Sequence, residues 1–312
     1  MKAKRLISFV LAAAFMLSAA ATPVFAAALP QQTAAVEQEN GIVSIRIKAT
    51  GNLVYGSDYK LEVQTTPADT QYIGVVVGVG GEANGYVTLV LSEKIRTLLK
   101  LIPLPKKMSA TPDQTEEFNV YSYLKQLIDG NDVSILLRVG DEAVSVLNII
   151  NFYLPSAYVK TIQNVSNGLK LALDLIRKYL PESAFTRIYL DEQPVDSGRY
   201  IAGAVALQSG DLNTAGVAMF RIKPKTEGVR LYWAEELPAV TPAEAEAHNT
   251  GALLESDGVV ANDAKVTYTY KKKGLFSSKS TEFPTEPGTY IQTAQATGNY
   301  SCEKITRTIV IH

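Results

Sequence analysis

The chain has 312 residues, 46% of them hydrophobic and 20% charged, with 30 Lys and Arg against 31 Asp and Glu. So even a balance excludes the basic footprint of a nucleic-acid binder. The single cysteine, Cys302, excludes an internal disulfide, so stability has to come from buried apolar surface.

At the N-terminus, Lys2, Lys4 and Arg5 form a basic head before an apolar stretch from Ile7 to Ala21, and Val24 and Ala26 occupy the two positions that matter for cleavage. This is the pattern of a bacterial-style secretory signal over residues 1–26, too short and too Ala-rich at its end for a good membrane span. No Cys ends the apolar region, as a lipoprotein requires, and Ile311-His312 closes the chain without an apolar tail, so the expectation is a secreted or envelope-associated protein. Residues 1–26 carry three bases and no acid; without them 27 Lys and Arg face 31 Asp and Glu, a charge of about −4. The roughly 285 residues that remain exceed what one core usually needs, which predicts two domains.

Residues 27–40, rich in Ala, Gln and Glu, read as a flexible leader. Strict alternation from Val43 to Lys48 predicts a half-buried strand, and Tyr59–Gln64 alternates again after turns at Gly51-Asn52 and Tyr55-Gly56-Ser57-Asp58. Tyr72–Val79 and Tyr86–Leu91 form a predicted hairpin around Gly80-Gly81-Glu82-Ala83-Asn84-Gly85.

At Ser92 the period changes to that of a helix: Ile95, Leu98, Leu99 and Ile102 recur until Pro103 and Pro105. Thr111-Pro112-Asp113-Gln114 predicts a capped helix start, with Phe118, Tyr121, Leu124 and Ile128 on one face until Gly130. Val133–Val139 and Asp141–Leu154 are denser in apolar residues, and Tyr158, Ile162, Val165, Leu169, Ala172, Ile176 and Leu180 step by four and three until Pro181. The expectation is a helical insertion over 92–184.

β-Pattern resumes at Arg187–Leu190, and Pro224–Gly228 is the predicted boundary between domains 41–225 and 226–312. The second domain has predicted strands at Val229–Trp233, Ala252–Leu254, Val266–Tyr270, Thr289–Ala296 and Ile305–Ile311, with an Ala/Glu/Pro-rich stretch over 238–247 that has room for one helical turn. One phrase occurs twice: Pro194-Val195-Asp196-Ser197-Gly198-Arg199-Tyr200-Ile201 and Pro284-Thr285-Glu286-Pro287-Gly288-Thr289-Tyr290-Ile291. Pro and Gly just before an alternating strand make a tight turn that sets its register.

These residues carry a resemblance. Tyr55-Gly56-Ser57-Asp58, Val266-Thr267-Tyr268-Thr269-Tyr270, the second phrase and Gly298-Asn299-Tyr300 together resemble the bacterial Ig-like repeats of large secreted and surface proteins. The resemblance is best at the C-terminus, fair over 41–91 joined to 187–225, and absent over the helical block. It implies two Ig-like β-sandwich modules serving as spacer, stalk or adhesion units, with no catalytic residues carried over. The expected fold is therefore mainly β with an α-helical insertion.

No catalytic, cofactor-binding or metal-ligating residue is assigned. His248 and His312 have no zinc-ligand spacing, and Cys302 at the foot of a strand reads as a half-buried thiol. Glu255-Ser256-Asp257-Gly258 with Asn262-Asp263 supplies oxygens for a hard cation but lacks the spacing of a dedicated calcium loop, and reads as a solvated turn. Lys271, Lys272, Lys273, Phe276 and Lys279 make a basic hairpin tip, either a shield for a strand edge or a contact for an anionic polymer or lipid head group. Leu98–Leu104 and Val144–Leu154 suit buried helices better than membrane-active ones. The expected function is a non-enzymatic binding or adhesion protein for an extracellular protein or glycan, with the insertion as the recognition element. The alternatives are a glycan or cell-wall hydrolase using paired carboxylates and a purely structural surface subunit.

Overall fold

Alternation and turn chemistry give a mainly β chain in the computed structural model, which describes residues 44–68, 70–101, 119–129, 163, 187–208, 211–237, 239–241, 251–274 and 278–312. The described residues divide into two units: the first ends at Arg221, and the second runs from Ile222 to His312 with the short segments Val54–Ser57 and Val195–Ser197. The division falls ahead of the Pro224–Gly228 turn because the strip before it pairs within the second unit. Val54 bridges Lys223 in parallel, and Lys225 bridges Tyr300.

The first unit has a two-stranded antiparallel ribbon, β1 (Ser44–Gly51) and β2 (Tyr59–Thr66), and a five-stranded sheet in the order β5-β4-β3-β6-β7. Here β3 is Gln71–Gly81, β4 Tyr86–Leu91, β5 Arg187–Leu190, β6 Gly198–Gln208 and β7 Asp211–Ile222. All its assigned pairings are antiparallel except β4 with β5, which are joined by the long insertion that a parallel pair requires. On one face Val76, Thr88, Tyr86, Tyr200, Ala202 and Ala204 are buried; on the other Val87, Leu89, Leu91, Ile188, Leu190 and Ile201 are buried too. Two covered faces explain why these strands read as continuous apolar runs rather than clean alternation.

The ribbon covers the first face. Its approach is close: a Cβ on Gly216 of β7 would lie 2.8 Å from the Ile45 carbonyl oxygen of β1. Rings fill the gap beside it in one continuous row. Tyr189 stacks on Tyr86 at 5.1 Å, Tyr86 meets Tyr200 edge-on at 6.2 Å, Tyr200 stacks on Phe220 at 5.0 Å, and Phe220 reaches Tyr59 of β2 at 6.2 Å. The other face receives two helices, α1 (Glu93–Lys100) with Ile95 and Leu99 buried, and α2 (Val120–Ile128) with Val120, Leu124 and Ile128 buried. They touch each other, α1 also touches β3, and α2 touches β5.

α1 carries Glu93 in its first turn and Lys100 in its last, both matched to the helix dipole. α2 differs from the expected helix starting at Thr111. Asn119 is extended (φ −134°, ψ 174°) and its side chain accepts from the Ser122 N–H at 2.9 Å, so the helix bearing Tyr121, Leu124 and Ile128 starts at Val120. Asn119 satisfies a first-turn donor, which is enough to begin a helix there; the capped start expected at Thr111 lies outside the described residues. The remaining helices expected at 102–118 and 130–184 lie outside the described residues, apart from Gln163, which is helical.

The second unit is a sandwich of two sheets. One has the order β10-β9-β8, from β8 (Val229–Trp233), β9 (Ala252–Ser256) and β10 (Val259–Val260). The other has the order β12-β11-β13-β14, from β11 (Lys265–Lys272), β12 (Lys279–Ser280), β13 (Gly288–Thr297) and β14 (Ile305–Ile311). Leu231, Ala252 and Leu254 of the first meet Ala294 and Ala296 of the second with Tyr300, and a separate cluster joins Val240, Tyr270, Tyr290, Ile309 and Ile311. Val240 bridges Ile311 in parallel, its N–H donating to Val310 and its carbonyl accepting from His312; the rest of the stretch given room for a helical turn, 242–247, lies outside the described residues.

The repeated phrase is a repeated backbone device. Gly198 and Gly288 open β6 and β13 with φ of 156° and 153°, which other residues adopt only with strain. Two residues on, Tyr200 and Tyr290 are 1% and 7% exposed. Ile201 is buried as well, while Ile291 is half-buried, since β6 has both faces covered and β13 one.

Candidate functional site

The described groups that most resemble a built site surround the stem of the insertion. The chain leaves the sheet after Leu91 at the end of β4 and returns through β5, so β4 and β5 lie side by side with Asp191 immediately after β5. Asp191 has φ 56°, a left-handed conformation that Asp tolerates better than most residues. Its side chain, 5% exposed, is saturated: one oxygen accepts from the Leu91 N–H at 2.7 Å, the other from Arg96 Nε of α1 at 2.9 Å, and the Tyr121 hydroxyl of α2 also bonds it. Arg96 Nη2 in turn donates to the Leu91 carbonyl at 3.1 Å.

α2 closes the other side. Asp129, at its C-terminus, accepts from the Leu190 N–H at 2.8 Å, and Lys125 Nζ donates to the Leu190 carbonyl at 3.1 Å, while Lys125 and Asp129 pair with each other at 2.5 Å. Two side chains thus take the hydrogen bonds that a further strand would make to β5 at Leu190. This answers the hazard of an open sheet edge.

The electrostatics follow from these contacts. Burial pushes the Tyr121 phenol up to about 12, with the Asp191 charge adding to it. Burial alone would lower Arg96, but the Asp191 hydrogen bond and charge outweigh it and raise it. Glu192 is raised by burial and then by the Asp129 carboxylate. With both oxygens of Asp191 engaged, this carboxylate fixes geometry.

A second polar group lies within the second unit's sandwich. Arg307 Nε donates to Gln292 Oε1 at 2.7 Å, and Gln292 Nε2 to the Tyr270 hydroxyl at 3.2 Å, a row across β14, β13 and β11. Gln292 is fully buried, the Arg307 guanidinium sits 4.1 Å over the Trp233 ring of the facing sheet, and its Nη1 reaches the Glu235 carbonyl. This row separates the two apolar clusters. Its signal in the sequence is Gln292 and Arg307 at core-facing positions of alternating strands.

The residues singled out in the sequence fall as follows. In the suspected cation loop, Asp263 accepts from the Tyr55 hydroxyl at 2.6 Å and the Tyr300 hydroxyl at 3.0 Å, Asp257 pairs with Lys225, and Glu255 pairs with Arg230 at 3.1 Å. Tyr55 and Tyr300 meet edge-on at 5.3 Å, and their hydrogen bonds hold Asp263 below the usual carboxylate range. Asn299 of the neighbouring turn accepts from the Ser197 N–H and donates to Asp196. No group of three or more His, Cys, Asp or Glu able to hold a metal occurs among the described residues. Cys302 is a half-buried thiol, raised by burial, and His312 is exposed at the end of β14. His248, Phe276 and Val144–Leu154 lie outside the described residues. No described helix is long and apolar enough to cross a membrane. No protein-family model, curated protein or solved structure matches the chain.

Proposed function

We propose that this is an exported, non-catalytic binding or adhesion protein of the cell surface or its surroundings, with two Ig-like β modules as scaffold and the insertion as the recognition element for an extracellular protein or glycan. The observation that carries the reading is the stem: Leu91, Arg96, Tyr121, Lys125, Asp129, Leu190 and Asp191 spend their polar groups on fixing the two ends of the insertion to the sheet. A passive loop needs no such anchoring, whereas a recognition element loses less entropy on binding when it is held in place. The Ig-like reading of the second unit draws support from two details. The Val240–Ile311 bridge runs a short segment parallel to the last strand, and the Tyr290 hydroxyl donates to the Glu286 carbonyl four residues upstream at 3.0 Å, as a tyrosine corner does.

The experiment replaces residues 131–185 by a Gly/Ser linker and leaves α1, α2 and Asp191 in place. Asp129 touches Leu190, and Arg187 lies three residues before it, so a linker of about six residues, reaching roughly 20 Å, suffices. A partner retained from an envelope or host-matrix extract by the intact chain and not by the linker form supports the proposal. Equal capture by both forms places recognition outside 131–185 and refutes it. The hydrolase alternative has one coupled carboxylate pair at the stem, Glu192 with Asp129. Turnover of a polymer that E192Q abolishes would favour it.

A further inference from the structure

We propose that the outer face of the sheet β12-β11-β13-β14 docks a linear phosphate-bearing polymer, with Lys271, Lys273 and Lys279 as its charged contacts. The site lies on the second unit and does not depend on the insertion. Its four strands hold five bases and no acid, although the chain as a whole has no basic excess. Three of the five are engaged: Arg307 in the interior row, Lys272 with Glu286 at 3.6 Å and the Tyr290 ring at 5.6 Å, and Lys265; Lys273 directly follows β11.

Register places the others. Tyr268 and Tyr270 turn into the core, so Thr267, Thr269 and Lys271 face outward, and Lys271 stands directly opposite Lys279. Like charges facing each other across a strand pair destabilise it. Among the described residues no carboxylate lies within ion-pair distance of Lys271, Lys273 or Lys279, all exposed. Edge protection accounts for Lys279 on the outermost strand. It does not account for Lys271, because β11 is paired on both sides, with β12 and with β13.

The rest of the face suits the same ligand. Thr269 stands opposite Thr293, Thr293 opposite Thr306 and Ile291 opposite Thr308, which sets threonine hydroxyls beside the lysines. Phosphate oxygens accept from several such donors at once, and ammonium groups act as point charges without the fork that selects one planar carboxylate. Along β11 the outward Thr267 and Thr269 continue from Lys271 over about 13 Å of extended strand, which an extended polymer can follow.

The test titrates the chain from Ala27 onward, which keeps every described residue, with inorganic polyphosphate by calorimetry at several salt concentrations. Three contacts to a flexible chain of charges predict a slope of log K against log salt of about −2. K271T/K279T is expected to weaken binding at least tenfold at low salt and to reduce the slope to about −0.7. The same variant should melt no lower than the parent, and K279E, which turns the facing pair into an attraction, should melt higher while losing binding. Polyphosphate binding that survives in the linker form of 131–185 supports a surface independent of the insertion, whatever becomes of the insertion's own partner. Unchanged binding by K271T/K279T overturns the proposal. So does capture by anionic vesicles or a carboxylated polysaccharide with none by polyphosphate, or aggregation of K271T/K279T with polyphosphate affinity intact, which is the behaviour of an edge shield.

Discussion

Replacing Asp191 tests the stem most directly. In D191A the Leu91 N–H at the end of β4 loses its acceptor, which costs about 1–3 kcal/mol for a buried donor left unpaired. Ala at φ 56° adds about 1 kcal/mol, because its Cβ crowds the following carbonyl in the left-handed region. Arg96 is 35% exposed and recovers part of its loss from water, so the broken ion pair adds no more than about 1 kcal/mol after that discount. The sum is about 2–5 kcal/mol. D191N keeps an oxygen for Leu91 and tolerates the backbone angle, so it should cost about 1–2 kcal/mol, mainly the charge. Urea unfolding followed by far-UV circular dichroism measures both. If the two variants agree within about 0.5 kcal/mol, or if D191A costs less than about 1 kcal/mol, the carboxylate does not hold the stem as described.

Three further outcomes follow from the same contacts. Tyr59, Tyr86 and Tyr121 are all raised above the ordinary phenol value, first by burial, so their stabilising contribution is intact below about pH 10 and is lost as pH rises toward their folded values, with Tyr121 the first at about 12. Absorbance at the tyrosinate band should therefore lag behind that of free tyrosine and appear with unfolding. Asp263 is lowered, so its contribution is present above the unfolded carboxylate value near pH 4 and is lost as pH falls through the folded one; D263N should flatten the acid side of the melting profile, and an unchanged acid limb would contradict the Tyr55 and Tyr300 contacts. Q292L removes one buried partner each from Arg307 and Tyr270 and should cost about 1–3 kcal/mol, whereas Q292L/R307M should recover much of it; equal losses for single and double variants in denaturant titrations would mean that the row is not coupled.

Strands, turns and helix faces were legible because each is set by neighbours in the chain. The Gly80–Gly85 loop, the strand at Val266–Tyr270 and the entry of β6 and β13 through Gly198 and Gly288 all rest on local backbone preference. The first unit's layering was less legible. A sheet covered on both faces hides its alternation, and Gly216, whose missing side chain lets the ribbon approach at Ile45, looks like ordinary composition in the sequence. The start of α2 was not legible because its cap is a single Asn whose extended backbone only the structure shows; the expected start at Thr111 lies outside the described residues. Nothing in the order of residues places Asp191 against Leu91 and Arg96, which are about a hundred positions away; the parallel pairing of β4 with β5 does that.

That pairing also bears on what the insertion is. A parallel neighbour requires a long crossover, so β5 can exist beside β4 only if the chain makes an excursion between them. The excursion returns the favour at the edge: α2, part of the same connection, supplies Lys125 and Asp129 to the backbone of Leu190, and buries Leu124 and Ile128 on the sheet side. Sheet edge and the first part of the insertion are therefore one structural element. Anchoring the start of the excursion to the sheet is what the proposed recognition element would need from its scaffold.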